Sequence, residues 1–415
     1  MKVAIFEPEP RVCGPLSWAF HVKSGLLALG HSCDIISSTK SGKSRVSWGT
    51  EKPGARWWLK PMDRVEKDAN VASVLDEYDL VILPEIRNPS KDKEAAKLED
   101  GTLPVYVDAL RKLKKARWTT SLHGNKYLDK DMPFIEALLE APTIGNTLVT
   151  LSWDSVESND LFKEMSWVKC HLPYAPTYSP DSDVMPENLR TVGATGRFIY
   201  NKGQHLVCMA GGLLPEDVTV EVWGACSIGP SPSPTYIVYE TLTQKMGWTG
   251  QRYGHDPKDE NDPAGGNIIQ PFKWDARLDG HALVRYLGNY STPVQTAGRM
   301  AVHTNLTSSS FSGDLVEFST LEAMDAGALS IVPKHLSDPE FDAYVLPTFG
   351  VALSIPKVLK DMSTVNEVGE AMLTMLETAQ DPKRREEIVR HNRSVLQTRN
   401  DPRKVAQVLI ESAMS

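Results

Sequence analysis

Short apolar runs alternating with helix-length stretches constrain this chain more than any other feature. The runs at residues 3–7, 33–37, 78–83, 117–122 and 147–152 are of strand length, and segments of helical spacing at 16–29, 106–114 and 134–139 lie between them. Strands joined through helices pair in parallel and carry helices on both faces, so the pattern predicts an α/β fold with ligands at the carboxyl ends of the strands. A second alternation follows a break. Strands are expected at 191–197, 218–223, 268–270, 300–305 and 329–332, and helices after Asn201, from 365 to 379 and from 402 to 414.

The break is the proline-rich stretch from Pro173 to Leu189, which has neither period. At 415 residues the chain exceeds one ordinary core. The expected organisation is therefore a first Rossmann-like domain over 1–175, a linker over 176–190, a second such domain over 191–400, and a terminal helix over 401–415 that packs back towards the first domain. Within the linker, Asp181-Ser182-Asp183 spells an acid-any-acid triplet of the kind that can hold a metal beside a sugar nucleotide. In a proline-rich turn it reads first as ordinary surface. The polar stretches 224–234 and 253–266 are long enough to be functional loops.

Five cysteines, odd in number and widely spaced, fit buried thiols in a reducing compartment, and none has zinc-ligand spacing with a histidine. The amino terminus turns polar too soon for a signal peptide and no apolar run spans a bilayer, so a cytoplasmic protein without a membrane partner is expected. A net charge of −8 argues against nonspecific coating of nucleic acid, though it leaves room for a basic cleft.

Chemistry gathers in two places. Glu317 and Glu322 flank the start of a short apolar segment that stops at Gly327 and runs into the strand at 329–332. Carboxylates beside a helix start can accept hydrogen bonds from sugar hydroxyls, or can simply complement the helix dipole. Arg197 and Lys202 follow the first strand of the second domain. Arginine forks two phosphate oxygens and lysine acts as a mobile point charge, a pairing suited to a departing diphosphate; a surface turn is the plain alternative.

Taken in order, Gly196-Arg197, Lys202-Gly203, and Glu317 with Glu322 before Ala326-Gly327 resemble the retaining GT-B glycosyltransferases of the glycogen-synthase-like kind. The pair in those enzymes is more widely spaced; Asp314 stands at the usual distance from Glu322. The tighter spacing, with Phe318 after the first acid and Thr320-Leu321 before the second, is similar to the phage DNA α-glucosyltransferases of the T-even group. Val12-Cys13-Gly14, Leu122-His123, Leu151-Ser152-Trp153-Asp154 and Tyr253-Gly254 follow the same order. Gly124 stands where an acid is expected, and the loop 224–234 is longer.

The resemblance implies two Rossmann-like domains facing a cleft and a nucleotide-diphosphate sugar, UDP-glucose or similar, as co-substrate. It implies that Glu322 holds the ribose, Arg197 and Lys202 the diphosphate, Gly14 approaches from the first domain, Glu317 or Asp314 contacts the sugar, and His123 lies on the acceptor side. A divalent cation is compatible with this set but not required by the sequence. Transfer with retention would proceed on one face, the leaving phosphate helping to deprotonate the acceptor. If the acceptor is a 5-hydroxymethylpyrimidine in double-stranded DNA, the base must be flipped out. A basic track is then expected from Arg111, Lys112, Lys114, Lys115 and Arg117, with Lys202, Lys273, Arg384, Arg385 and Arg393 in the second domain, while Trp153 and Asp154 meet the acceptor. The alternatives are transfer to a small molecule, lipid or polysaccharide, and a silent sugar-nucleotide binder.

Overall fold

The computed structural model describes residues 1–7, 14–39, 63–67, 70–86, 104–123, 133–157, 160–224, 234–253, 273–288, 290, 293–312 and 315–415. Two compact units emerge: Met1–Ala175 with Gly313–Phe318 and Gln397–Ser415, and Pro176–Ser312 with Ser319–Leu396.

The first unit is built on β1 (Lys2–Phe6), β2 (Ser32–Thr39), β3 (Arg64–Lys67), β4 (Leu80–Leu83), β5 (Arg117–Leu122), β6 (Thr147–Thr150) and β7 (Ser166–Lys169). They form one parallel sheet in the order β3-β2-β1-β4-β5-β6-β7. β1 and β4 are buried almost throughout, as strands covered on both faces must be. The helix Gly14–Ala28 buries Leu16, Trp18, Ala19, Val22 and Leu26. Gly25 is required there: a Cβ would stand 2.1 Å from the Pro402 carbonyl oxygen, so only glycine lets the helix Pro402–Met414 approach.

The second unit holds β8 (Thr191–Thr195), β9 (Thr219–Trp223), β10 (Thr249–Tyr253), β11 (Lys273–Arg277), β12 (Leu283–Tyr286), β13 (Val302–Thr304), β14 (Leu329–Pro333) and β15 (Tyr344–Leu346). Their order is β10-β11-β12-β9-β8-β13-β14-β15. The ladder is parallel from β12 to β15 and antiparallel at the β10-β11-β12 edge. Val192, Val220, Val302 and Ile331 are fully enclosed at its centre, each burial worth about 1.5–3 kcal/mol.

The stretch after Leu172 has no regular element up to β8, yet its first residues are tied down. The Tyr174 N–H donates to the Asn400 carbonyl (2.8 Å) and the Ala175 N–H to His21 Nδ1 (3.1 Å). The Thr177 and Tyr178 N–H groups donate to the two carboxylate oxygens of Asp325 at 2.7 and 3.0 Å. Polar composition there records side chains facing water; the backbone itself is anchored. The strand expected at 268–270 lies outside the described residues, as do Cys13, Gly124, Asp314, Cys226 and most of the stretches 224–234 and 253–266. Among the described residues no helix is long and apolar enough to cross a membrane.

Candidate functional site

In the second sheet the chain leaves β8 towards β9 on one side, while β13, β14 and β15 extend on the other, so the strand order reverses between β8 and β13. The crevice outside the carboxyl ends at such a reversal is where open α/β sheets bind ligands. Arg197 stands at one wall of it and the segment leading to Glu322 at the other.

β8 ends at Thr195, and Arg197 follows on the loop, exposed and paired with no carboxylate among the described residues. The loop is clasped by the buried Gln204 side chain, whose Nε2 donates to the Gly196 carbonyl (3.0 Å) and whose Oε1 accepts from the Ile199 N–H (3.4 Å). Lys202 closes the short turn Tyr200–Lys202, its ammonium 5.2 Å from the centre of the Phe311 ring. Gly203 has φ of 69°, and a Cβ there would stand 2.6 Å from Leu306 Cβ, so both conformation and space demand glycine before the helix Gln204–Ala210.

The opposite wall grows from β13. Asn305, just past that strand, donates from its backbone to the Ile331 carbonyl (3.0 Å) and from Nδ2 to Thr320 Oγ1 (3.0 Å). Its Oδ1 accepts from the Thr307 hydroxyl at 2.7 Å. Thr320 lies on the helix Phe318–Ala326, which also carries Glu322, 7% exposed; Glu317, half-buried, immediately precedes it. The sequence-predicted order of helix, Gly327 stop and buried strand is what the chain adopts.

The far end of that helix is closed by a buried arginine. Arg393, with no exposed surface, donates from Nε to the Asp325 carbonyl (2.9 Å), from Nη1 to the Ser182 carbonyl (2.9 Å) and from Nη2 to the Val184 carbonyl (2.8 Å). A cation at a helix carboxyl end meets the negative pole of the dipole. Burial lowers the Arg393 pKa from its ordinary value, with the Asp325 charge acting against that shift. The expectation that Arg393 belongs to a DNA track is overturned, because all three guanidinium nitrogens face backbone oxygens inside the unit. Arg384 pairs with Asp342 at 3.1 Å and Arg390 with Glu386 at 2.7 Å, while Arg385 donates to the Ala379 carbonyl at 2.7 Å. In the linker, Asp181 lies 3.7 Å from Arg390. Among the described residues no group of three or more His, Cys, Asp or Glu is arranged to hold a metal ion.

In the first sheet the order reverses between β1 and β4. Gly14, exposed, opens the helix that follows β1. His123, half-buried, comes directly after β5 and meets Trp18 of that same helix edge-on, ring centres 5.2 Å apart at 64°. Trp153, 42% exposed, and the exposed Asp154 open the helix Trp153–Glu157 after β6. All four share the carboxyl edge of the sheet.

Arg111 and Lys115 do not join them. They lie in the return from the helix Val105–Arg111 into β5, and a return into a parallel strand delivers the chain to the amino edge. The six residues of β5 put about 20 Å between that edge and His123. The turn is held there by Asp76, whose carboxylate accepts from the N–H groups of Lys114, Lys115 and Ala116 at 3.0, 2.8 and 3.0 Å. Lys112 is engaged with Asp108 at 2.6 Å. The basic run 111–117 is therefore separated from the acceptor-side candidates.

Sequence reasoning missed Gln204, His303, Asn305 and Asp325 as residues that set the site's frame, and gave Arg393 a different role. The position of Gln204 beside Gly203 was the one local signal; the others sit in apolar or basic runs that read as core or surface. Two of the histidines in this unit are fully enclosed. Burial pushes His205 and His303 down to about 4 from 6.5, although the Leu353 carbonyl, 2.8 Å from His205 Nε2, works to raise the former. Both are neutral when folded at neutral pH. The unfolded chain takes up their protons as pH falls through 6.5, the folded chain only near 4. Stability is thus fully present above pH 6.5 and is expected to fall towards pH 4, by up to about 1.4 kcal/mol per pH unit for each histidine. Denaturant unfolding across that window measures the slope, and His205→Gln, if it folds, should reduce it.

No family model matches the sequence, and no curated protein matches it. Solved structures do match over the full length. An alpha-glucosyltransferase in complex with UDP and a 13-mer DNA containing a HMU base is 13% identical, with 100% of both chains covered and a TM-score of 0.64. The same values hold for an alpha-glucosyltransferase with UDP-glucose and DNA containing an abasic site. Anabaena HepE in complex with UDP and glucose is 11% identical, with 100% of both chains covered and a TM-score of 0.61. The fold is that of GT-B glycosyltransferases, and the resemblance read in the sequence holds at the level of the fold.

Proposed function

We propose that this chain is a retaining glycosyltransferase that takes a sugar from a nucleotide-diphosphate sugar of the UDP-glucose type and transfers it to the hydroxymethyl oxygen of a modified pyrimidine in DNA. The observation that carries the donor half is the pairing, across the β8/β13 reversal, of the exposed Arg197 and of Lys202 with the wall bearing Glu322. Arg197 and Lys202 neutralise the diphosphate as the anomeric C–O bond breaks. Glu322 accepts from the ribose hydroxyls, Gly14 leaves room for the backbone to approach the diphosphate, and Glu317 or Asp314 contacts the sugar. The acceptor oxygen bonds to the anomeric carbon on the face the diphosphate leaves, and its proton passes to the departing phosphate oxygen. His123, with Trp153 and Asp154, lies on the acceptor side. The DNA acceptor is supported by the HMU-containing complex of the alpha-glucosyltransferase with the same fold.

A second reading, transfer to a small molecule, lipid or polysaccharide, is favoured by the position of Arg111 and Lys115 at the far edge, the net charge of −8 and the fold shared with HepE. The two separate in one experiment. The protein is incubated with UDP-glucose and duplexes carrying hydroxymethylcytosine, hydroxymethyluracil or unmodified bases, and the digested nucleosides are weighed. A hexose gain on a hydroxymethylated nucleoside alone is expected. Donor hydrolysis without any gain on DNA moves the assignment to the second reading.

A further inference from the structure

We infer that His303 is a positioning residue for the diphosphate clamp, setting the carboxyl end of β8 and with it Arg197; this rests on the donor site proposed above. The main-chain ladder between β8 and β13 is short, pairing only Val192 with Val302 and Gly193 with His303. Beyond it, side chains of β13 take over. Thr304 Oγ1 donates to the Gly193 carbonyl at 2.9 Å. The His303 ring reaches further along, its Nε2 accepting from the Thr195 N–H at 3.2 Å and lying 2.9 Å from the Thr195 hydroxyl. An acceptor at Nε2 leaves the ring proton on Nδ1, which is buried with no hydrogen-bond partner among the described residues. An unpartnered buried donor costs stability, so a fully enclosed imidazole is poorly explained as core filling. Its service is local: it fixes the last residue of β8 across the reversal where main-chain pairing has stopped.

Thr195 is followed by Gly196 and Arg197, and Gly196 is tied to neighbours on both sides. Its N–H donates to the Trp223 carbonyl (3.0 Å) and its carbonyl accepts from Gln204 Nε2 (3.0 Å). With Thr195 held by His303, the backbone on which the Arg197 side chain pivots is fixed at consecutive residues. Just past β13, Asn305 holds the other wall through its hydrogen bond to Thr320. One short strand thus sets the spacing between the cation and the helix of Glu322.

The test is a double-mutant cycle read by calorimetric titration with UDP, using His303→Phe, which keeps a planar ring and removes the acceptor, alone and with Arg197→Ala. His303→Phe is expected to weaken UDP binding about tenfold in the parent and to have almost no effect once Arg197 is gone. His303→Gln, which restores an acceptor, should recover most of the loss. If the phenylalanine variant does not fold, His303→Leu, nearer to histidine in volume and likewise without an acceptor, is carried through the same cycle. An equal loss with and without Arg197 overturns the inference and leaves the donor site standing. Failure of the unaltered protein to bind UDP overturns the donor site and the inference together.

Discussion

Arg197→Ala is expected to lower kcat/KM for sugar transfer from UDP-glucose by about a hundredfold to a thousandfold, the range seen when one preorganised stabiliser of a leaving group's charge is removed. Arg197 is exposed, carries no ion pair among the described residues, and its loop is held by Gln204 rather than by its own side chain. Removing it should therefore leave the fold intact. Initial rates over a range of donor concentrations, with thermal unfolding measured in parallel, separate the two effects. Arg197→Lys restores charge without the two-pronged geometry and should recover only part of the rate. A fall in unfolding temperature that matches the loss of rate would instead make Arg197 a structural residue.

The second large effect is on stability. Arg393→Ala is expected to destabilise the protein by about 3–5 kcal/mol, because it removes a fully enclosed guanidinium and strands the carbonyls of Ser182, Val184 and Asp325. Asp325 would remain buried, its carboxylate still accepting from the Thr177 and Tyr178 N–H groups. Lysine cannot reproduce a fork to three backbone oxygens, so Arg393→Lys should recover little. Equilibrium denaturation reads the loss. Alanine at Arg384, whose pairs are exposed, is the control and should cost under about 1 kcal/mol.

These two arginines show where sequence reasoning reaches and where it stops. Buried strands such as β4 and β14, all apolar or nearly so, are legible because burial on both faces imposes a continuous pattern. Edge strands are not: β3 (Arg64–Lys67) is mostly charged and β10 (Thr249–Tyr253) is largely exposed, so neither carries the hydrophobic signal. The Glu317–Gly327 unit is legible for another reason. It is a helix with its stop and the following strand in sequence, and local rules decide it. Arg197 and Lys202 follow from β8 in the same way.

The enclosure of Arg393 is not legible in the sequence because a charge there carries no direction. Arg393 and Arg384 belong to one helix, yet one is enclosed and the other is half solvated. Arg111 and Lys115 precede β5 while His123 follows it, and in a parallel sheet that difference is the whole length of a strand. His303 was invisible for the opposite reason: a lone histidine in an apolar run has no partner until β13 is laid beside β8. Pairing between strands distant in sequence is the information a single pass along the chain does not contain.

Titration of the unaltered protein and of Arg197→Ala with UDP asks whether the β8/β13 reversal is a nucleotide-diphosphate site. Saturable binding by the former and an affinity lowered at least about tenfold in the latter are expected. Equal affinity in the two proteins, or no binding by either, would contradict it.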